Sequence, residues 1–335
     1  MNFAFGNAQH IGRRESQQDS FGFSDPANAA FVAHAGVLAI VADGMGGLEQ
    51  GAQASTIAVR AFLEAYSQKP AEEPIGAALT RSLQAANLAV LQIGADCGTT
   101  LVAAVIHNQT LHWISVGDSA LYLYREGDLA LLNQPHVYAT ELDAQAQAGH
   151  ITPEQASAHP MREALTSYVG HATLPHVDSN VRPFHLDDDD CILVASDGLS
   201  KVLSEPEIAA AMRGTFQERC EQLVASVLSR DIPGQDNITV VALGLKEPLP
   251  KAEFPPTSIV VTPPPPRRAQ RSYRGRLMVI AIGAIALAAG YFFHTPKRVT
   301  LPTASPGSER YDTSKLPAPL SPADEKPAPS EGQQK

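Results

Sequence analysis

Cysteine is scarce in this chain, whose 335 residues include three, at Cys97, Cys191 and Cys220. Three thiols so widely separated are too few for a disulfide framework and lack the close spacing of a zinc site. We therefore expect reduced, buried cysteines. The first residues also lack a basic segment followed by a long apolar run, so no signal peptide is expected.

Basic residues are scarce in the first three quarters of the chain. Residues 1–250 contain 13 Lys and Arg against 29 Asp and Glu, whereas residues 251–335 contain 12 against 6. An acidic surface repels a phosphate backbone, which argues against a nucleic-acid partner. With 44% hydrophobic residues the chain can bury a large core, and the reversal of charge separates an acidic globular part from a different C-terminal part.

Acidic residues stand where apolar strands begin or end. The apolar run 37–42 leads directly into Asp43 and then into a glycine-rich segment, 44–47. An aspartate at the mouth of a buried strand is costly unless its charge is paired, and a hard cation is the usual partner. A strand followed by a glycine-rich turn is the simpler alternative. Recurrence favours the cation, since similar arrangements occur at four more acids: Asp19, Asp118, Asp197 and Asp236.

Hydrophobic periodicity predicts an α+β domain. Apolar residues recur at helical spacing in four segments, 52–66, 75–93, 205–212 and 216–229. Strand-like segments, besides the run before Asp43 and a last one after Asp236, are 3–7, 21–23, 101–106, 110–116, 120–124, 129–132 and 191–196. Short connections between successive strands predict an antiparallel meander, and the helices are expected to pack on antiparallel sheets.

Residues 134–180 are predicted to form an irregular insert that lies over the sheets, with short helices at 139–148 and 153–158. The insert is rich in histidine: His136, His150, His159, His171 and His176. No two of these have the close fixed spacing of a zinc site, so mobile, exposed histidines are the favoured interpretation.

Six short motifs, taken in order, resemble those of the metal-dependent serine/threonine protein phosphatases of type 2C, the PPM family. They are Arg14-x-x-Gln17-Gln18-Asp19, Asp43-Gly44-Met45-Gly46-Gly47, Gly98-Thr99-Thr100, Gly117-Asp118-Ser119, Ser196-Asp197-Gly198 and Gly234-Gln235-Asp236-Asn237. Each motif is weak alone, but their order over residues 3–245 is specific. The resemblance implies a four-layer αββα sandwich with two central antiparallel sheets in a phosphatase domain at 1–245. It also implies that 134–180 is the family's flap.

The resemblance assigns the metal ligands. It implies that Asp43 bridges two Mg²⁺ or Mn²⁺ ions and that the Gly44 carbonyl binds one of them. Asp197 and Asp236 would complete the shell of the other ion. Carboxylate and carbonyl oxygens suit hard cations of this kind and disfavour zinc or copper.

The resemblance also implies roles for three further residues. Asp19 would ligate a metal or orient a metal-bound water, and Asp118 would belong with Asp197 to a third, weaker metal site. Arg14 would hold the substrate phosphate, since its planar guanidinium can donate two parallel hydrogen bonds; a solvated charged loop is the plainer alternative. The expected reaction is in-line attack by a metal-bridging hydroxide on phosphoserine or phosphothreonine, without a phosphoenzyme.

Some positions depart from the family pattern. Gln17-Gln18 lacks a carboxylate that some members have, Ala120 replaces an arginine, and Pro135 replaces an aspartate. None of these changes touches the five aspartates, so we expect an active enzyme. Met45 stands where animal members carry a histidine proposed as general acid, which leaves the leaving-group acid without an assignment. His136 and His159 are the candidates for that role.

The C-terminal part is predicted to anchor the domain in a membrane. Residues 246–276 form a linker rich in proline and arginine, and 277–293 is a run of seventeen apolar or small residues without a charge. A buried globular helix is the alternative, but no further domain remains to bury it. Five arginines on the N-terminal side of this run place the catalytic domain in the cytoplasm, with a disordered tail, 294–335, on the far side.

The favoured hypothesis is a single-pass membrane phosphatase that dephosphorylates Ser and Thr on cytoplasmic proteins, including a Ser/Thr protein kinase. One alternative is a catalytically weak or inactive, membrane-anchored module that binds phosphoproteins. Its support is the set of substituted positions, and the intact set of acids argues against it. Another alternative is a phosphatase for small phosphate esters, which a flap over the site disfavours.

Overall fold

The computed structural model describes residues 3–46, 48–94 and 97–246, which contain twelve strands and eight helices. The strands are β1 (Ala4–His10), β2 (Asp19–Phe23), β3 (Val37–Met45), β4 (Gly98–Thr99), β5 (Leu101–His107), β6 (Thr110–Val116), β7 (Ala120–Arg125), β8 (Asp128–Leu131), β9 (Asp178–Ser179), β10 (Phe184–His185), β11 (Cys191–Ala195) and β12 (Ile238–Gly244). The helices are α1 (Ala29–Ala35), α2 (Leu48–Ser67), α3 (Ile75–Leu91), α4 (Tyr138–Gln147), α5 (Pro153–Ser157), α6 (Asp197–Ser200), α7 (Glu205–Ala211) and α8 (Phe216–Leu228).

The strands form two antiparallel sheets. One has the order β1-β12-β11-β7-β8, and the other has the order β10-β6-β5-β3-β2, with β4 beside β3 and β9 beside β6. The prediction of one meander is confirmed for two pairs, since β5 pairs with β6 and β7 with β8, and is wrong for β6 and β7, which lie in different sheets. The crossing point is the turn that carries Asp118.

The two sheets and their helices form four layers, as expected of an αββα sandwich. Strand β3 is apolar on both faces because it is buried on both. Its Val37, Ala39 and Val41 belong to the core between the sheets, whereas Leu38 and Ile40 pack in the core that includes α2 and α3. A third core joins the outer face of the other sheet to α7 and α8.

Short elements were missed by the periodicity. Helix α1 has only seven residues, too few for a clear apolar repeat. Asn28 caps this helix by accepting a hydrogen bond from the Phe31 amide at 3.2 Å. Helix α6 has four residues, too few for a periodic signal. The predicted start of β2 at Phe21 was also wrong by two residues, because the strand begins at Asp19.

Among the described residues, no helix has the length and apolar character needed to cross a membrane. The predicted span 277–293, the tail 294–335 and all of the linker except Lys246 lie outside the described residues.

Candidate active site

Strand register places two of the predicted site acids side by side. Asp19 of β2 is the antiparallel partner of Asp43 of β3. Asp19 is buried, and its Oδ2 accepts hydrogen bonds from Ser196 Oγ and Thr239 Oγ1, both at 2.8 Å. Its Oδ1 is also buried and accepts no hydrogen bond from any described residue. One half of the carboxylate is thus fixed by hydroxyls, and the other half lacks a protein partner.

The Gly-Thr-Thr motif fixes the backbone of Asp43. Thr99 Oγ1 and the Thr100 amide both donate to the Asp43 carbonyl oxygen at 2.8 Å. The Asp43 amide donates in turn to Thr100 Oγ1 at 2.9 Å. Thr100 Oγ1 also lies 2.6 Å from the hydroxyl of Ser119, the neighbour of Asp118. These threonines hold the strand end of Asp43 and link it to the turn that carries Asp118.

Gly44 allows the start of α2 to lie directly on β3. A Cβ at this position would overlap the carbonyl oxygen of Gly51. The Gly44 amide donates to the Gln18 carbonyl at 3.1 Å, which joins the Gln-Gln-Asp loop to the same strand end. Only glycine permits this approach of three backbone segments.

Asp197 reaches the cluster from the other sheet, and Asp118 reaches it from the turn that joins the two sheets. Asp197 is the first residue of α6 and directly follows β11, while Asp118 lies in the turn between β6 and β7. Both line a cavity of about 280 Å³ that also includes Glu163 of the insert and Lys201. The ammonium of Lys201 forms an ion pair with Asp197 Oδ2, and Asp197 Oδ1 is buried with no hydrogen bond from the described residues.

Asp236 pairs with the predicted phosphate-binding residue. Arg14 Nη2 donates to Asp236 Oδ2 at 2.7 Å, and about half of the arginine side chain is exposed. The structure therefore places Arg14 at the site but in contact with a candidate ligand.

The five carboxylates repel one another. Burial raises the pKa of Asp43 well above its ordinary value, and the charges of Asp19, Asp197, Asp118 and Asp236 raise it further, in that order. Burial, followed by weaker effects that include the charge of Asp197, raises the pKa of Asp19 and of Asp118 to about 6. All five predicted acids are thus brought close enough to interact, and their ionised forms need compensating positive charge.

Two basic residues supply part of that charge. Arg14 contacts Asp236, and Lys201 contacts Asp197. Partial burial works against the ammonium, but the charges of Asp197, Asp118 and Asp43 raise the pKa of Lys201 above its ordinary value. Lys201 was not predicted as a site residue, although its spacing of four residues from Asp197 on a helix was an available signal.

The donor set fits hard divalent cations. Every candidate ligand is an oxygen, and Asp19 and Asp197 each present one buried carboxylate oxygen without a hydrogen bond from the described residues. Within those residues, no three His, Cys, Asp or Glu side chains already stand in metal-holding geometry. Two carboxylate oxygens of the cluster are engaged by basic side chains, Asp236 Oδ2 by Arg14 and Asp197 Oδ2 by Lys201.

Asn237 is a site residue to which the sequence reasoning assigned no role. It is buried, and its Oδ1 accepts from the Gln18 amide at 2.7 Å. Its Nδ2 donates to the carbonyl oxygens of Ile11 and Ser16, at 2.9 and 3.1 Å. One side chain therefore secures the loop that carries Arg14 and Asp19.

The histidines of the insert do not join the acids. The expectation that they are exposed was wrong for His136, which is buried and whose Nδ1 accepts from the Gly117 amide at 3.1 Å. Burial, with the neighbouring charge of His176, lowers the pKa of His136. This ring fastens the insert to the turn before Asp118. His159 packs against Tyr138, with ring centroids 5.4 Å apart.

Two of the positions that depart from the family pattern line one cavity. Ala120 is buried in β7 opposite Ala195 of β11, and Pro135 begins the insert. Both contribute to the cavity that also includes Asp118 and Lys201. The small side chain of Ala120 leaves room on the wall next to the acids.

Comparisons with known proteins show the family of the chain. A family model described as protein phosphatase 2C matches residues 7–235. The chain is 32% identical over 215 residues to the serine/threonine phosphatase Stp of Listeria monocytogenes, covering 61% of this chain and 82% of that protein.

Solved structures share the fold. The serine/threonine phosphatase of S. agalactiae is 28% identical with a TM-score of 0.63, covering 73% of this chain and all of that one. The catalytic domain of the phosphatase PstP, solved with two manganese ions, is 26% identical with a TM-score of 0.55, covering 72% of this chain and 97% of that one.

Proposed function

The chain belongs to the protein phosphatase 2C family and is a protein serine/threonine phosphatase; from that premise we propose that it dephosphorylates cytoplasmic proteins while held at a membrane. The observation that carries the catalytic proposal is the convergence of four aspartates on Asp43. Such a cluster of negative charge, with Asp19 and Asp197 buried and the other three aspartates half-buried, is costly in a fold unless cations are bound. Phosphatases of this family depend on metal ions, and PstP has been solved with two manganese ions.

Each of the five aspartates would have its own position in the binding of the metal ions. Asp43 and the Gly44 carbonyl would hold the shared position, with Asp197 and Asp236 on one side of it and Asp19 beside it. Asp118 would contribute, with Asp197, to a third and weaker position. Two Mg²⁺ or Mn²⁺ ions bound there would lower the pKa of a water molecule and offset negative charge on the phosphoryl group.

Arg14 is the proposed phosphate-binding residue. It lies on the exposed side of the cluster and can exchange its contact with Asp236 for the phosphate oxygens of a substrate. The hydroxyls of Ser196 and Thr239 keep Asp19 in one orientation while this exchange takes place. No serine, cysteine or histidine nucleophile is required of the chain.

The membrane anchor rests on the sequence of the C-terminal part. Residues 277–293 carry no charge over seventeen positions, and five arginines precede them. An anchored phosphatase acts on substrates that come to the same membrane face, and a membrane-bound Ser/Thr kinase is the partner that best fits this arrangement.

Phosphate release from a phosphothreonine peptide tests the catalytic proposal. The full chain in detergent is measured with Mn²⁺, with Mg²⁺ and with a chelator. Release that requires a metal is expected, and Asp43→Asn should reduce it by about two orders of magnitude or more, because the shared ligand is lost. A folded wild-type chain that releases no phosphate with either metal, yet binds the phosphopeptide, would identify a binding module instead.

A further inference from the structure

Lys201 is held against Asp197 by a single turn of helix. Asp197 opens α6, and the Lys201 amide at the end of that turn donates to the Asp197 carbonyl at 2.9 Å. The spacing of four residues puts both side chains on one face, where the ammonium meets Asp197 Oδ2. The lysine side chain is 49% exposed and the aspartate side chain 13%, so the positive charge approaches from the solvent side.

The ammonium enters the cavity that two proposed metal ligands share. Asp118 and Asp197 form part of its wall, together with Glu163 of the insert. Lys201 is the single basic residue among the described residues that line this cavity. The ammonium of Lys201, a monovalent cation, thus lies where these carboxylates would otherwise attract a divalent ion.

The ammonium of Lys201 and a free divalent metal ion compete for the same carboxylates. A lysine within a few ångströms of a divalent ion repels it strongly, even at the effective dielectric constant of a protein surface. Asp19 accepts hydrogen bonds from Ser196 and Thr239, and Asp236 pairs with Arg14, so the competition is strongest at Asp118 and Asp197.

We propose that Lys201 is a tethered counter-ion for Asp118 and Asp197, which keeps a third divalent ion from binding tightly and must move before that ion is held. The proposal rests on the proposed function, because it takes the same carboxylates as metal ligands. Lys201 is a positioning residue in this scheme, since it acts on the ligands and not on the substrate. Two properties follow: weak affinity for the third ion, and a metal-free site that is less strained by repulsion.

Manganese binding to the full chain in detergent tests the first property. Free Mn²⁺ is followed by electron paramagnetic resonance for wild type, Lys201→Met and Lys201→Arg. Lys201→Met should lower the dissociation constant of the weakest ion by about tenfold or more. Lys201→Arg keeps the charge and should match wild type in that constant.

A matched control removes a lysine elsewhere. Lys246 pairs with Asp188 and Asp189, at 3.1 and 3.6 Å, on the surface and away from the cavity. Lys246→Met loses the same charge together with these two surface ion pairs. It should leave all the manganese dissociation constants unchanged, which separates a local effect of Lys201 from an effect of net charge.

Thermal unfolding tests the second property without any catalysis. In chelator, Lys201→Met should unfold at a lower temperature than wild type, because the carboxylates lose their counter-ion. In saturating Mn²⁺ the variant should gain more in unfolding temperature than wild type, because the stability that a ligand adds to the folded state grows with the logarithm of its affinity.

The results of these experiments distinguish between possible roles of Lys201. If Lys201→Met binds manganese with the same dissociation constants as wild type, the proposal is wrong. If that variant also has a raised KM for the phosphopeptide, Lys201 binds the substrate phosphate instead. If wild type releases no phosphate, the proposed function fails, while the manganese constants still decide the role of Lys201.

Discussion

Asn237 joins the last part of the domain to the first loop. Its three hydrogen bonds reach Ile11, Ser16 and Gln18, more than 200 positions away in the chain. The residue itself neither binds a phosphate nor carries charge. Its effect on the site is geometric, because the loop between Ile11 and Gln18 carries Arg14 and leads into Asp19.

Asn237→Ala should cost about 1–3 kcal/mol in the free energy of unfolding, because buried backbone groups lose their partners. It should also lower kcat/KM, since Arg14 is no longer held in place. Asn28→Ala is the control: it removes one exposed helix cap, costs about 1 kcal/mol and should leave kcat/KM unchanged. Denaturant unfolding and peptide assays on both variants measure the two effects. Equal kcat/KM values in the two variants would contradict the positioning role.

At the scale of elements, the site depends on backbone segments that pass very close to each other. Gly198 in α6 lies against the chain that precedes β12, and a Cβ there would overlap the Asn237 carbonyl oxygen. The contact brings Asp197 and Asp236 to the same side of the cluster. Gly76 in α3 has open space around it instead.

Gly198→Ala should destabilise the domain by about 1–3 kcal/mol through overpacking and lower the affinity for Mn²⁺ by separating Asp197 from Asp236. Gly76→Ala should stabilise it by about 0.5–1 kcal/mol, because alanine loses less backbone entropy in a helix. Thermal unfolding with and without Mn²⁺ distinguishes them. A stable Gly198→Ala with wild-type manganese affinity would show that this close approach is dispensable.

The elements themselves could largely be predicted from the sequence. Long periodic segments such as α2, α3 and α8 bury one face and therefore carry a clear pattern. The five acids could be identified because a resemblance supplied their order. Their mutual contacts could not be predicted from periodicity, since Asp19 and Asp43 meet through strand register and Asp236 arrives from the other sheet. The pairing of Lys201 with Asp197 depends on where a four-residue helix begins.

At the scale of the whole molecule, the acidic phosphatase domain precedes a basic segment and an apolar run. This order suits a domain that is held near an anionic membrane surface without binding to it directly, because its own charge repels that surface.

The anchor can be tested by fractionation. The full chain should sediment with membranes and resist extraction by high salt, whereas a chain that ends at residue 276 should remain in the supernatant, because the apolar run is missing. Both should hydrolyse a soluble phosphopeptide with equal kcat/KM. Protease added to the outside of intact cells should remove the tail alone. A full chain that is soluble without detergent would contradict the anchor.

Strand β12 lies between β1 and β11 in its sheet, and the residues just before it supply Asp236 and Asn237. During synthesis β1 therefore cannot pair until β12, the last strand, has left the ribosome with nearly the whole domain. Prematurely terminated products that end before Asp236 lack both β12 and one of the five aspartates. We therefore expect hydrolysis only after residues 236–244 have been made and have left the ribosome.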